Sequence, residues 1–308
     1  MTCNNISAIR TAFTALLALI CLLAAHAGAA PLRLAVVLSE QGGAYREYSN
    51  ALGAQLLNKD VTLSVIDAEQ PLPEADLVIA AGMKAAINVA RARPAAMLAV
   101  LLPKEGFASL QKDFPAPAKD GSRVFSAIYL DQPLKRQLDL ISALLPAAGT
   151  IGVLYKSPPK ELNALRTMAA AREFGLNERS AGSLSGIHAA LQELLVSSDV
   201  LLALPDAEIY NASTIRNILL ATYRHKVPLI GFSSGYVRAG ALAAVFSTPA
   251  QIAAQSLAVI SRYAETRELP AAQYAKEFEV AVNEQVARSL GLSIMSESQI
   301  RIEIGAAP

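Results

Sequence analysis

From Leu32 onward, short apolar runs alternate with stretches whose apolar positions recur at helical spacing, the pattern of a parallel sheet covered by helices. LRLAVVL (Leu32–Leu38) reads as a buried strand and Tyr45–Asn58 as the helix behind it. VTLSVID (Val61–Asp67), DLVIAAG (Asp76–Gly82), AAMLAVLL (Ala95–Leu102) and VFSAIYL (Val124–Leu130) read as further strands, the last running into a helix Leu134–Leu145 that Pro146 stops. The order then begins again. TIGVLY (Thr150–Tyr155) predicts a strand, Lys160–Phe174 a helix ended by Gly175, and Ile187–Leu195 another helix. DVLLALP (Asp199–Pro205), a helix over Glu208–His225 and VPLIGFS (Val227–Ser233) complete the second set. DLVIAAGMKAA and DVLLALPDAEI answer one another, each strand opened by an aspartate and closed by a turn.

The segment before Leu32 has a different character. Arg10, the apolar run Ala12–Leu23 and the small residues of AHAGAA follow the order of a secretory signal, with cleavage expected after Ala27, Ala29 or Ala30. Residues 1–30 are therefore read as a signal peptide and the mature chain as periplasmic. Cys21 ends ALIC, which loosely resembles a lipid-attachment site, so lipid anchoring there stays open as an alternative. Both cysteines, Cys3 and Cys21, precede the expected mature start, which leaves the mature domain no thiol, disulfide or cysteine metal site.

Length and charge narrow the function. About 280 mature residues exceed the usual size of one domain, about 100–150 residues, so two lobes are expected. Without Arg10 the 27 basic residues become 26, against 26 acidic ones, and no basic stripe marks a nucleic-acid partner. The nearest thing to a linker, Lys112–Ser122, reads as a surface loop.

Catalytic signals are few. GFSSG (Gly231–Gly235) fits the G-x-S-x-G of a hydrolase nucleophile elbow, but that order places histidine last, and His188 and His225 both precede Ser233. The pentapeptide reads better as a turn where small residues admit a ligand to the backbone. No P-loop, G-x-G-x-x-G or H-E-x-x-H is present, so no cofactor, metal or catalytic residue is assigned.

SAIYLDQPLKRQLDLISALLPAAGTIGVLY, SDVLLALPDAEIYNASTI, VPLIGFSSGYVRAGALAA and VNEQVARSLGLSI together resemble the periplasmic substrate-binding proteins of ABC transporters, in the branch that includes aromatic amino-acid binders. The resemblance is strongest over Ser126–Ile294 and weakest in the first lobe. It implies an α/β protein of two doubly wound parallel-sheet lobes, like the type I periplasmic binding proteins, joined by a hinge of three crossings. Lobe one is then 31–125 plus 248–270 and lobe two 126–247 plus 271–308, with crossings near Ser126, Phe246 and Ala271. The implied function is capture of a small ligand by a monomer, for delivery to an ABC permease in the inner membrane. A sensor accessory that presents the closed form to a periplasmic receptor is the alternative, and an enzyme a more distant one.

Open α/β sheets bind ligands at the carboxyl ends of their strands. That rule selects Ser39, Tyr45, Gly82, Met83 and Lys84 in lobe one, and Tyr155, Ser157, Asp206, Tyr210, Phe232 and Ser233 in lobe two. The turns after Leu38 and Ala81, with Lys84, are expected to hold a carboxylate. Asp206 is assigned either to a ligand ammonium or to capping the helix near Glu208, and Tyr155 and Phe232 to apolar walls or core. An amino-acid-like ligand is the expectation.

Overall fold

The computed structural model describes residues 31–115, 124–183 and 186–305. The expected signal segment with both cysteines, and most of the expected loop Lys112–Ser122, lie outside them. The described chain forms two six-stranded α/β sheets.

The first sheet runs β2-β1-β3-β4-β5-β11, all parallel. Its strands are β1 (Leu32–Leu38), β2 (Val61–Asp67), β3 (Leu77–Ala81), β4 (Met97–Leu102), β5 (Phe125–Tyr129) and β11 (Gln273–Tyr274). Successive side chains of a strand point to opposite faces, so a strand covered on both sides must be apolar throughout. Leu34, Val36, Leu77, Ile79 and Leu98 pack under α1 (Gly43–Leu56) and α9 (Pro249–Thr266). Ala35, Val37, Val78, Ala80 and Ala99 pack under α2 (Met83–Ala92) and α3 (Lys104–Asp113). At the end of β4 the alternation breaks. Leu101 takes φ +55° where the β4–β5 register shifts, so Leu101 joins Val100 on the α1/α9 face and Leu102 moves to the other.

The second sheet runs β7-β6-β8-β9-β10-β12, parallel except that β12 is antiparallel to β10. Its strands are β6 (Thr150–Tyr155), β7 (Gly175–Ser180), β8 (Val200–Leu202), β9 (Leu229–Gly231), β10 (Ala243–Phe246) and β12 (Glu279–Val282). One face carries α4 (Leu134–Leu144), α5 (Leu162–Ala170) and the late helices α10 (Glu284–Ser289) and α11 (Glu297–Glu303). The other carries α6 (Ile187–Val196) and α7 (Ile215–His225), with the short α8 (Ser234–Ala239) at its edge. The repeated aspartates have the same task in both lobes. Asp76 accepts the backbone N–H of Arg33 at the start of β1, and Asp199 accepts those of Gly149 and Thr150 at the start of β6.

The chain passes between the sheets three times, through 130–133, 247–248 and 275–278, and the three passages are stitched together. Gln132 Nε2 donates to Ser247 Oγ at 2.9 Å, and Ser247 Oγ donates to the Glu277 carbonyl at 2.6 Å. Arg136 closes the seam: it bonds Gln132 Oε1 and lies 4.0 Å from the Phe278 ring centroid.

Three sequence expectations need correction. By sheet membership β5 and β11 belong to the first lobe, so the first and third crossings follow Tyr129 and Tyr274 rather than Phe125 and Pro270. Gly175 does not end the preceding helix. α5 stops at Ala170, Glu173 takes the left-handed position at φ +62°, and the Phe174 N–H reaches back to the Ala169 carbonyl while its ring enters the core. Gly175 opens β7. The helix expected from Glu208 begins only at Ile215, because Asp206, Asn211 and Thr214 satisfy local backbone N–H groups with their own side chains and hold the chain in turns.

Candidate functional site

Four strand ends, one from the first lobe and three from the second, face one another. The kink at Leu101 ends β4 and turns the chain into Pro103–Gly106, where α3 begins. Across from it lie Ser157–Pro159 after β6 and Leu204–Glu208 after β8, with Phe232 following β9. Between them is an outer cleft of about 560 Å³. It continues into an inner chamber of about 120 Å³ whose walls include Pro103, Glu105, Pro159, Leu204 and Pro205 of the same lining.

The outer cleft is walled by rings. Tyr155, Tyr210 and Phe232 line it; Phe232 meets Tyr210 edge-on at 6.3 Å and Tyr236 at 4.5 Å. Tyr236 donates to the Tyr210 carbonyl, which sets the stack against the start of α8. The Tyr210 hydroxyl is buried without a partner among the described residues, and burial pushes its pKa upward. Glu105, Asp206 and Glu208 bring carboxylates to the mouth.

Lys104, the first residue of α3, bridges the lobes. Its ammonium pairs with Glu161, the residue preceding α5, and lies 3.1 Å from the Tyr274 hydroxyl, which itself donates to Glu161 at 3.2 Å. The Glu161 carboxylate holds the Lys104 pKa well above the usual lysine range. Both charged side chains are about two-fifths exposed, at 42% and 40%, so the latch contributes no more than about 1 kcal/mol and yields readily to a hinge motion. Asp131, on the first crossing, accepts the Lys104 backbone N–H at 2.5 Å. Its burial raises the carboxyl pKa to about 6, and the nearby Glu161 adds to the rise.

Of the lobe-two residues selected from sequence, Tyr155, Ser157, Asp206, Tyr210 and Phe232 line the outer cleft together, while Ser233 stands outside that lining as the N-cap of α8. The Asp206 carboxylate accepts backbone N–H groups of Lys156 at 3.0 Å and Glu208 at 2.9 Å, tying the loops after β6 and β8 into one wall. The lobe-one selections, Ser39, Tyr45, Gly82, Met83 and Lys84, are not among the residues lining the cleft or the chamber. Ser39 accepts the Ala85 N–H, Gly82 sits at φ +91° against Ser39 and Tyr45, and Lys84 pairs with Glu69. Met83 backs Gly106, whose loop does line the cleft. Sequence reading missed Pro103–Gly106, Asp131, Gln132, Gln137 and Glu161. The rule of strand carboxyl ends, applied to β1 and β3, would have found the first of these had it been applied to β4 as well.

Two doubly wound lobes, a hinge of three stitched passages and a cleft lined from both sides define a two-lobed ligand-binding protein. The chain belongs to the ABC transporter substrate-binding protein family, whose model matches residues 74–301. The fold is that of several solved structures. A conserved domain protein from Vibrio cholerae is 22% identical, with 89% of this chain and 98% of that one covered and a TM-score of 0.61. An ABC domain from Streptococcus pneumonia in complex with L-Trp is 18% identical, with coverage of 89% and 98% and a TM-score of 0.64. A substrate-binding protein with adhesive properties from Clostridium difficile, in a ligand-free, open structure, is 15% identical, with coverage of 86% and 96% and a TM-score of 0.67. A comparison with curated proteins returns no match.

Proposed function

We propose that this protein captures a small, amino-acid-like ligand between its lobes in the periplasm, as a monomer, and delivers it to an ABC permease. The observation that carries this reading is the cleft itself, where loops from both lobes set apolar rings beside charged groups across a hinge of three passages. Such a cleft buries most of a small ligand when the lobes close. Tyr155 and Phe232 supply flat apolar surface for a side chain, and the charged rim supplies orientation. The order of charge, apolar run and small residues in 1–30 supports export, and among the described residues no helix is long and apolar enough to cross a membrane.

A thermal-shift screen of the L-amino acids tests the reading, with tryptophan first because a protein of the same fold holds it. A ligand present at one hundred times its Kd stabilises the folded state by about 2.7 kcal/mol. At about 2–4 °C per kcal/mol for a chain of this size, Tm rises by about 5–10 °C. Asp206→Ala and Tyr155→Ala variants that remain folded and bind like wild type remove those residues from the site.

A further inference from the structure

We infer that the inner chamber receives the ligand's α-ammonium group, on the Asp131 carboxylate and the Gln137 amide oxygen. The inference deepens the proposed function and rests on it. Gln137, on the first turn of α4, lines the chamber and is 4% exposed. Its Nε2 donates to the Gln132 carbonyl at 3.2 Å, which fixes the end of the amide that is oxygen. That oxygen is buried and has no partner among the described residues. Folded proteins rarely leave a buried acceptor unpaired, because the loss is not repaid by solvent. The side chain that carries this orphaned acceptor lines the chamber, and a turn of its amide brings the oxygen to a donor that arrives with the ligand.

Asp131 adds the charge. One of its oxygens takes the Lys104 backbone N–H, and the other accepts nothing from the described residues. The Lys104 ammonium is engaged by Glu161 and Tyr274. Around the chamber stand three carboxylates, Glu105, Asp131 and Glu161, against two lysines, Lys104 and Lys160, so the local balance is one negative charge in excess. Burial raises the Asp131 pKa to about 6, with Glu161 adding to the rise, and an incoming cation relieves the cost of that buried charge. Pro103, Ala108, Leu134, Leu165, Leu204 and Pro205 supply apolar walls that strengthen any ion pair formed inside.

Size sets the division of labour. At about 120 Å³ the chamber is much smaller than the outer cleft of about 560 Å³, which assigns the head group to the chamber and the bulk of the ligand to the cleft. The remainder of the ligand lies in the outer cleft against Tyr155 and Phe232. The head group would then touch the hinge, since Gln132, between Asp131 and Gln137, is the residue stitched to Ser247.

The test screens wild-type protein by calorimetry against L-amino acids, the corresponding decarboxylated amines, the corresponding des-amino acids, and neutral sugars. The expected binder carries an ammonium group, and its des-amino analogue binds at least 100-fold more weakly. Asp131→Asn weakens the binder at least tenfold while the unliganded variant melts no lower than wild type. Gln137→Met also weakens it at least tenfold but, losing its bond to the Gln132 carbonyl, melts lower, so Asp131→Asn carries the comparison of melting temperatures. A residue of purely structural importance would lower that melting temperature. Equal binding of the des-amino analogue, preference for a neutral sugar, or undiminished binding by both variants overturns the inference. In those cases the cleft reading stands if Tyr155→Ala and Phe232→Ala still weaken binding. If no compound in the screen binds, the amino-acid-like reading falls with it.

Discussion

Replacing Ser247 by alanine removes the hydroxyl that joins the three hinge passages. Ser247 is 5% exposed, and its Oγ accepts from Gln132 Nε2 at 2.9 Å and donates to the Glu277 carbonyl at 2.6 Å. The two losses are unequal. Glu277 is an exposed residue and its bond to Ser247 is part-buried, so its share is the ordinary net value of a hydrogen bond, about 0.5–1.5 kcal/mol. Gln132 is 5% exposed, and its stranded Nε2 costs about 1–3 kcal/mol as an unsatisfied buried donor. The expected destabilisation is therefore about 2–4 kcal/mol, dominated by Gln132. Urea unfolding followed by circular dichroism measures it, and small-angle scattering of the unliganded variant is expected to show a wider spread of lobe separations. The double-mutant cycle with Gln132→Ala isolates the pair, and a coupling of about 1–2 kcal/mol is expected for groups in direct contact. A loss below about 0.5 kcal/mol, or singles that add without coupling, refutes the stitched hinge.

The remaining predictions concern the cleft wall, the packing and the leader. Asp131 has a folded-state pKa of about 6 against the ordinary 3.8, so the native state binds more protons than the unfolded one between those values, and stability from this group falls as pH rises through about 6. Urea midpoints at pH 4.5 and 7.5 are expected to show the native protein gaining about 2 kcal/mol at the lower pH from this group, and Asp131→Asn to abolish that gain. Gly82→Ala places a Cβ 2.5 Å from Ser39 Oγ and 2.6 Å from a Tyr45 ring carbon, at a φ of +91°. A loss of about 2–4 kcal/mol in thermal or urea unfolding is expected, and a neutral effect refutes the close approach. N-terminal sequencing of the exported protein is expected to begin between Gly28 and Pro31, whereas recovery of only the uncleaved cytoplasmic chain contradicts the signal reading.

Much of the framework was legible because it depends on local pattern. β1, β2 and β6 occupy the residues read from their apolar runs, Leu32–Leu38, Val61–Asp67 and Thr150–Tyr155. β1 and β6 are buried on both faces, which leaves no polar alternative, while the edge strand β2 shows in the alternation of Val61, Leu63 and Val65 with Thr62 and Ser64. The paired aspartates before β3 and β8 were visible as a repeat, though their work of tying down β1 and β6 was not. β7 was missed for the opposite reason: GLNERS is an edge strand, exposed at its ends and partly exposed throughout, and only its pairing with β6 makes it a strand. β11 is two residues long and exists because Gln273 and Tyr274 dock beside β5, which lies far away in the chain.

The site divides the same way. Tyr155, Ser157, Asp206, Tyr210 and Phe232 followed from a rule about strand ends within one sheet, which sequence order supplies. Pro103–Gly106, Asp131, Gln137 and Glu161 became part of the same cleft only when two lobes were set face to face across the hinge. No periodicity encodes that apposition. The sequence by itself marked the central strands of each sheet and the order in which they alternate with helices, because burial on two faces leaves a local signature in such runs. Tertiary structure decided which lobe-one loop faces the cleft, which glutamine holds an unpaired oxygen, and where three distant passages meet at Ser247, because each is a contact between residues that the chain alone keeps apart.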